Sequence, residues 1–425
     1  MVEMNLEICL INTISAIIKF VVRKLIFFEV KLMRTVGTEV RGLRAPIVKE
    51  GDSLVDIVVD SLKQSIKGEG IELRDKDVLG VTESLVARAQ GNYIDLDDIA
   101  AEINNTFSGD SIGIVFPILS RNRFSMILKG IARSGKKIYL QLSYPNDEVG
   151  NPLLDSRKLY ELKIDPYNYV INEKEYYQKF GDFKHPFTGV NYVDLYKEIA
   201  AETEIEIIAA NQPQTILNYT DQVIAADIHT RERTKEILRE NGADKVISLD
   251  QLCNQEQGKG YNPDYGLLGS NKASENRLKL FPKDGQQFVE AVQNEIREFS
   301  GKEVEVMIYG DGAFKDPAAK IWELADPVVS PAYTGGLEGT PNEVKLKYLA
   351  DNELKDLKGE ELLEAMKNEI KEKEDDLTAN LKAQGTTPRR LTDLLGSLCD
   401  LVSGSGDKGT PIILIQGYFD SLADE

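Results

Sequence analysis

Three segments of this sequence carry the residue types best suited to handling phosphate, and two of them are acidic. Asp147 and Glu148, with Asn151 close behind, follow the apolar run Lys137–Leu142. Asp311 sits in Gly310-Asp311-Gly312, directly after the strand-like segment Glu303–Tyr309. Carboxylates at strand ends can meet at one hard cation, Mg2+ or Mn2+, and such an ion would bridge the phosphates of a nucleotide. Asp-Gly and Asn-Asp pairs are also ordinary turn formers, so a purely structural use stands beside the metal one. The third segment is Ser403-Gly404-Ser405-Gly406-Asp407-Lys408-Gly409. Its glycines and serines can turn backbone N–H groups toward phosphate oxygens, with Lys408 adding charge. It is not a Walker A loop, because GxxxxGK[ST] is absent and the segment leads into a strand rather than a helix. A flexible surface turn is the alternative. Arg88, in a short predicted helix, suits a phosphate or a substrate carboxylate, or is a plain surface arginine. Ser120-Arg121-Asn122-Arg123 is a further cationic cluster.

Composition narrows the chemistry. Acidic residues outnumber basic ones, 70 to 51, for a formal net charge of -19. That balance argues against nucleic acid as a partner, which needs a basic footprint. It also requires any phosphate site to bring its own local positive charge. Only two histidines are present, His185 and His229, so His-based triads and multi-His metal centres are disfavoured, and both residues read as structural. Cys9, Cys253 and Cys399 lie far apart without CxxC spacing, which fits a reducing cytoplasm. The uncharged run Ile8–Ile18 is about 11 residues, short of the roughly 18 needed for a stable membrane span. Residues 1–33 therefore read as an N-terminal extension ahead of a fold starting near Met33, with an interfacial helix as the alternative.

The elements that must hold these segments alternate between strand and helix patterns. Thr35–Val40 alternates like a strand, and Asp52 reads as the N-cap of a helix through Leu62. Asp77–Thr82 and Lys137–Leu142 read as strands, Ile112–Leu119 is a further apolar run, and helices cover Leu85–Ala89 and Phe124–Ala132. The middle third repeats the alternation: strands at Ile205–Ala210, Gln222–Ala226 and Lys245–Ser248, and a helix over Thr230–Glu240, which suggests parallel pairing. Asn254–Asn276 is a long polar loop of the kind that is functional or mobile. The Tyr-rich stretch Tyr160–Tyr196 reads as packing. Asp351–Lys382 patterns as an amphipathic helical hairpin. A helix over Leu391–Leu401 and a strand over Ile412–Gln416 flank the glycine-rich loop. The expected fold class is mixed α/β (α+β).

Gly42-Leu43-Arg44-Ala45-Pro46-Ile47, DVLGVTESLVARAQG (77–91) and LTDLLGSLCDLVSGSGDKGTPIILIQG (391–417), taken in this order, resemble the coenzyme F-420:L-glutamate ligase family, the gamma-glutamyl ligases. The resemblance implies a two-part ligase-like core, 34–160 and 301–425, around an α/β insertion at 161–300 that the short archaeal enzymes lack. It implies a ligase using GTP (ATP is the alternative) and divalent cations to join L-glutamate to a small-molecule carboxylate acceptor through an acyl phosphate. The nucleotide would meet Leu43, Arg44, Ala45 and Pro46, then Thr82, Glu83 and Ser84, and Ser403, Gly404, Ser405, Gly406 and Lys408. Arg88 stands where the family usually has lysine. Asp311 stands where the family has a metal-binding aspartate, and Asp147 at the loosely aligned second one. A homodimer is likewise implied. The family's Asp-Thr-Asn-Gly-Arg string is Gly310-Asp311-Gly312-Ala313-Phe314 here, and the acceptor is left open. Two rival functions share these features: a nucleotide- or metabolite-binding protein without catalysis, and a phosphotransferase that stops at the acyl phosphate.

Overall fold

The computed structural model describes residues 35–310 apart from 258, the strands within 313–324, and residues 329–424 apart from 378, 384–388 and 405. The N-terminal extension read at 1–33 lies outside the described residues. In chain order the first strands are β1 (Glu39–Leu43), β2 (Val78–Thr82), β3 (Tyr93–Asp95), β4 (Ser111–Val115), β5 (Lys137–Leu142) and β6 (Ile171–Asn172). There follow β7 (Ile205–Ala209), β8 (Gln222–Ala225), β9 (Lys245–Ser248), β10 (Asn271–Lys272) and β11 (Arg277–Lys279). The last are β12 (Glu305–Gly310), β13 (Ala313–Lys315), β14 (Trp322–Leu324), β15 (Val329–Tyr333) and β16 (Ile412–Gln416). The chain is mixed α/β.

A five-stranded sheet, ordered β1-β16-β2-β12-β15, forms the first layer. β2 and β12 run parallel, with Tyr309 opposite Thr82, while β16 is antiparallel to β2. These central strands are continuous apolar runs because both faces are covered. On one face, helices Leu54–Glu69 and Gly285–Ser300 send Val58, Leu62, Val292 and Ile296 against Leu79, Val81, Val306 and Ile308. On the other, helix Leu391–Val402 lies close to β2 and β12. Gly80 permits that approach: a Cβ there would stand 2.5 Å from Cys399 Sγ.

The second layer is a six-stranded sheet ordered β6-β7-β5-β4-β8-β9. β7, β5, β4, β8 and β9 are mutually parallel, and only β6 is antiparallel. Successive strands step outward from β4 to β7, then cross to its other side for β8 and β9, which is a doubly wound arrangement. The expected boundary at 160/161 therefore falls inside this sheet, because β4 and β5 precede it and β7 to β9 follow. The whole sheet lies within the crossover that joins the parallel neighbours β2 and β12. Entry and exit are tied by the antiparallel pair β3–β11, with Asp95 opposite Arg277 and Tyr93 opposite Lys279.

Two compact units emerge, one from 40–341 with 386–416 and a smaller one from 1–39, 342–385 and 417–425. Within the smaller unit the expected hairpin region forms helices Leu346–Asp351 and Gly359–Lys371, and Lys382 pairs with Glu353 at 3.0 Å and Glu369 at 2.7 Å. Other departures from the sequence pattern are local. The first strand forms at Glu39–Leu43 rather than 35–40. Ser53, not Asp52, occupies the N-cap, because the Asp52 carboxylate accepts the Lys49 N–H at 2.6 Å and closes the preceding turn. Among the described residues no helix is long and apolar enough to cross a membrane.

The long loop at 254–276 is pinned. Buried Asn92 donates to the carbonyls of Tyr261 (2.8 Å) and Phe281 (2.7 Å) and accepts the Tyr261 N–H at 3.1 Å. Asn262 donates to Pro282 O at 3.0 Å and accepts from the N–H of Tyr265 at 2.8 Å. Asn92→Ala would leave the carbonyl and N–H of Tyr261 without this partner and Phe281 O with Asn262 alone, which costs about 2 kcal/mol. Limited proteolysis should then cut the variant within 254–276 well before the wild type. Equal cleavage rates would show that this asparagine does not hold the loop.

Candidate active site

Sheet register gathers most of the sequence-selected residues at one edge. The parallel strands β2 and β12 end together, so Thr82, Glu83 and Ser84 emerge beside Gly310, and a Cβ on Gly310 would lie 2.6 Å from Glu83 Cγ. β16 runs the opposite way and begins at that same edge: Ile412 opposes Val81, and the Thr82 N–H donates to Pro411 O at 3.1 Å. The glycine-rich loop is thereby delivered to the ends of β2 and β12. Reciprocal hydrogen bonds between Gly404 and Thr410, 3.2 and 3.0 Å, close it into a narrow finger. Gly404 has to be glycine, since a Cβ would meet Lys408 Cβ at 2.3 Å. Gly406, Asp407, Lys408 and Gly409 are exposed along the finger; Ser405 lies outside the described residues. The turn after β1 completes the edge, with the Ala45 N–H donating to Gly409 O at 3.3 Å. Leu43 is buried, anchoring that turn, whereas Arg44 and Pro46 are exposed.

Helix Glu83–Ala89 starts at this edge, and Arg88 sits four residues after Ser84, on the same helical face and exposed. Glu83 is buried at the base. Its Oε1 lies 3.2 Å from the ammonium of Lys279, which also donates to Ser84 Oγ. Lys279 is only 8% exposed and comes from β11, the neck strand. Sequence patterning overlooked it. The available signal was a lysine inside the apolar stretch Leu278-Lys279-Leu280-Phe281, where a surface-seeking side chain is out of place. Tyr309 lies near the end of β12, its hydroxyl donating toward Pro411 O at 3.4 Å, and burial pushes its pKa well above an ordinary phenol's.

A backbone edge that presents a glycine finger, exposed cations and a buried ion pair suits a phosphorylated ligand. A family model described as F420-0:gamma-glutamyl ligase matches residues 42–417. The chain belongs to the F420-0:gamma-glutamyl ligase family. No curated protein matches it. Membership of a family of gamma-glutamyl ligases implies a ligase, and the match runs continuously through the doubly wound sheet.

Asp147 and Glu148 do not join this edge of the ligase fold. They follow β5, in the other sheet, and their oxygens are already engaged. Asp147 accepts four hydrogen bonds: Leu119 N–H and the Asn151 amide on Oδ2, both at 2.8 Å, and Val149 N–H (3.1 Å) and Asn151 N–H (2.8 Å) on Oδ1. Burial pushes its pKa above the usual carboxylate range, and these donors pull it part of the way back down. Glu148 accepts the N–H groups of Ile228 and His229, ahead of helix Arg231–Glu240. Ser120 Oγ likewise accepts from Asn122 and Arg123 before helix Phe124–Ala132. The strand-to-helix turns at the reversal point of the doubly wound sheet are thus filled by the chain's own side chains. The four acceptor sites of Asp147 are taken up by its own loop, whereas each oxygen of Glu148 accepts one hydrogen bond. Among the described residues no group of three or more His, Cys, Asp or Glu side chains could hold a metal ion. Asp311 lies outside the described residues.

His185 is buried and structural in its contacts: Nδ1 accepts from the N–H groups of Phe187 and Thr188, both at 3.3 Å, and the ring packs edge-on to Tyr192. Asp147→Asn should destabilise the chain by about 2–3 kcal/mol, because an amide NH2 would face backbone N–H donors. Nucleotide affinity should stay unchanged in the same variant. A stable variant that loses nucleotide would instead return Asp147 to the binding site.

Proposed function

We propose that this chain is a nucleotide-dependent ligase that joins L-glutamate to a small-molecule carboxylate, with the nucleotide held at the common end of β1, β16, β2 and β12. One observation carries the reading: the turn 43–46, the segment 82–84 and the finger 403–409, far apart in sequence, meet there through sheet register and hydrogen bonds. Lys408 holds phosphate through its charge and Gly406 through its backbone N–H, both exposed on the finger. Arg88 and Ser84, on one helical face, reach the phosphate or the acceptor's carboxylate. Ile47, 82% exposed beside the turn, offers an apolar surface for a base. GTP is the nucleotide that the family suggests, with ATP as the alternative. The family's ligases pair it with a divalent cation, and Asp311, next after Gly310 at this edge, is the carboxylate proposed for it.

The chemistry proposed for this edge is acyl transfer by way of an acyl phosphate. An acceptor carboxylate oxygen attacks the terminal phosphorus and the nucleoside diphosphate leaves, giving an acyl phosphate. The amine of L-glutamate then attacks the acyl carbon, phosphate departs, and an amide remains. The chain's part is alignment of the reactants and stabilisation of phosphate charge.

Purified protein incubated with GTP or ATP, Mg2+ or Mn2+, L-glutamate and a panel of carboxylic acids is the direct test. Diphosphate release that requires both glutamate and one acid, with a product heavier by one glutamyl residue in mass spectrometry, is the expected result. Nucleotide binding without turnover would replace the ligase with a binding protein. Phosphorylated acid accumulating with no need for glutamate would replace it with a phosphotransferase.

A further inference from the structure

We propose that the Lys279 ammonium is the fixed cation that receives the terminal phosphate of the nucleoside triphosphate at this edge. The inference rests on the reading of that edge as the nucleotide site and adds a residue that patterning did not select. Burying an ammonium is unfavourable unless it is paired and hydrogen-bonded. Lys279 is paired with Glu83 at 3.2 Å, inside the fold, yet its other partner is the hydroxyl of Ser84, an exposed residue at the mouth of the edge. A lysine carries three N–H donors. Among the described residues only Glu83 and Ser84 accept from it, which leaves one donor beside an exposed hydroxyl.

The setting favours an anion there. Arg44, Arg88 and Lys408 are all exposed, so their charges are screened by water and salt, whereas a largely buried ammonium interacts strongly with a phosphate oxygen. The overall charge of -19 makes such a fixed positive group valuable to a polyanionic ligand. Glu83 holds the ammonium in place before the ligand arrives, so little side-chain freedom is lost on binding. Lys279 also comes from the strand that leads out of the doubly wound sheet and follows the pinned loop 254–276, so the insertion contributes directly to the site. No proton transfer is assigned to it; its part is to balance phosphate charge.

The test compares affinities for the tri-, di- and monophosphates of guanosine and adenosine by calorimetry, using wild type, Lys279→Gln, Lys279→Arg and the pair Glu83→Gln/Lys279→Gln. Lys279→Gln should weaken triphosphate binding by at least about tenfold and diphosphate binding by less than about twofold, so the preference for triphosphate collapses. Lys279→Arg should recover most of that preference. The double variant, which replaces the ion pair with two neutral amides, should show the same collapse. Equal losses for all three phosphates, or none, in a folded variant would overturn the assignment while leaving the nucleotide site in place. Wild type that binds no nucleotide would overturn this inference together with the proposed function.

Discussion

Gly80→Leu should lower the stability of the protein by about 3 kcal/mol or more and remove nucleotide binding with it. β2 is buried on both faces, and the hydrogen of Gly80 points at helix Leu391–Val402. A Cβ there would stand 2.5 Å from Cys399 Sγ and 3.2 Å from the ring of Tyr309, and both of those side chains are fully buried. Neither can swing into solvent, so the helix must lift off the sheet. That helix runs straight into the finger 403–409, so its displacement moves the phosphate cradle. A denaturant midpoint and a nucleotide titration on the same sample measure both effects. The milder Gly80→Ala should be rescued by Cys399→Ala, because removing the sulfur leaves the cysteine's own Cβ at an ordinary 3.5 Å. If the double variant is no more stable than Gly80→Ala alone, the close approach of helix and strand is not the cause.

Asp311→Asn should reduce nucleotide turnover by about a hundredfold or more and leave the thermal midpoint within about 1 °C. The substitution keeps shape and removes charge. Its position directly after β12 is what gives it weight: that strand ends beside Thr82 and Glu83, where the glycine finger and the turn after β1 also arrive. Asp147→Asn provides the contrast, losing stability through its loop and keeping nucleotide affinity. Steady-state release of diphosphate in the presence of Mg2+ distinguishes the two. Asp311→Asn with wild-type turnover would take that carboxylate out of the chemistry.

Much of the architecture could be read from local pattern. Lys137–Leu142, Phe124–Ala132, Lys245–Ser248 and Ile412–Gln416 form where apolar runs between turn residues place them. The glycine finger and the turn at 43–46 were recognisable because their residue types are constrained by backbone geometry. What pattern could not supply was register over long separations. Asp147 and Asp311 look alike in sequence, each an acid after an apolar strand, yet the strands belong to different sheets. Whether a carboxylate faces a ligand or its own loop depends on donors such as Leu119 N–H, which no local window contains. Lys279 was hidden for the opposite reason: its partners Glu83 and Ser84 lie almost two hundred residues away, and only the β3–β11 neck brings them within reach. Sheet membership was likewise beyond local pattern, because β4 and β5 precede residue 160 and pair in one sheet with β7 and β8, which follow it.

The place of β16 in the five-stranded sheet bears on how the chain is made. This strand, formed by residues 412–416, is the neighbour of both β1 and β2, so one flank of each stays open until those residues have been translated. By contrast, every strand of the six-stranded sheet has been translated by residue 248, and its pairings are comparatively short-range. Vectorial synthesis therefore favours assembly of that sheet first, as a scaffold on the nascent chain. Exposed strand flanks waiting for a late partner are prone to wrong pairings, so chains truncated before 412 should collect as aggregates rather than as partly active protein.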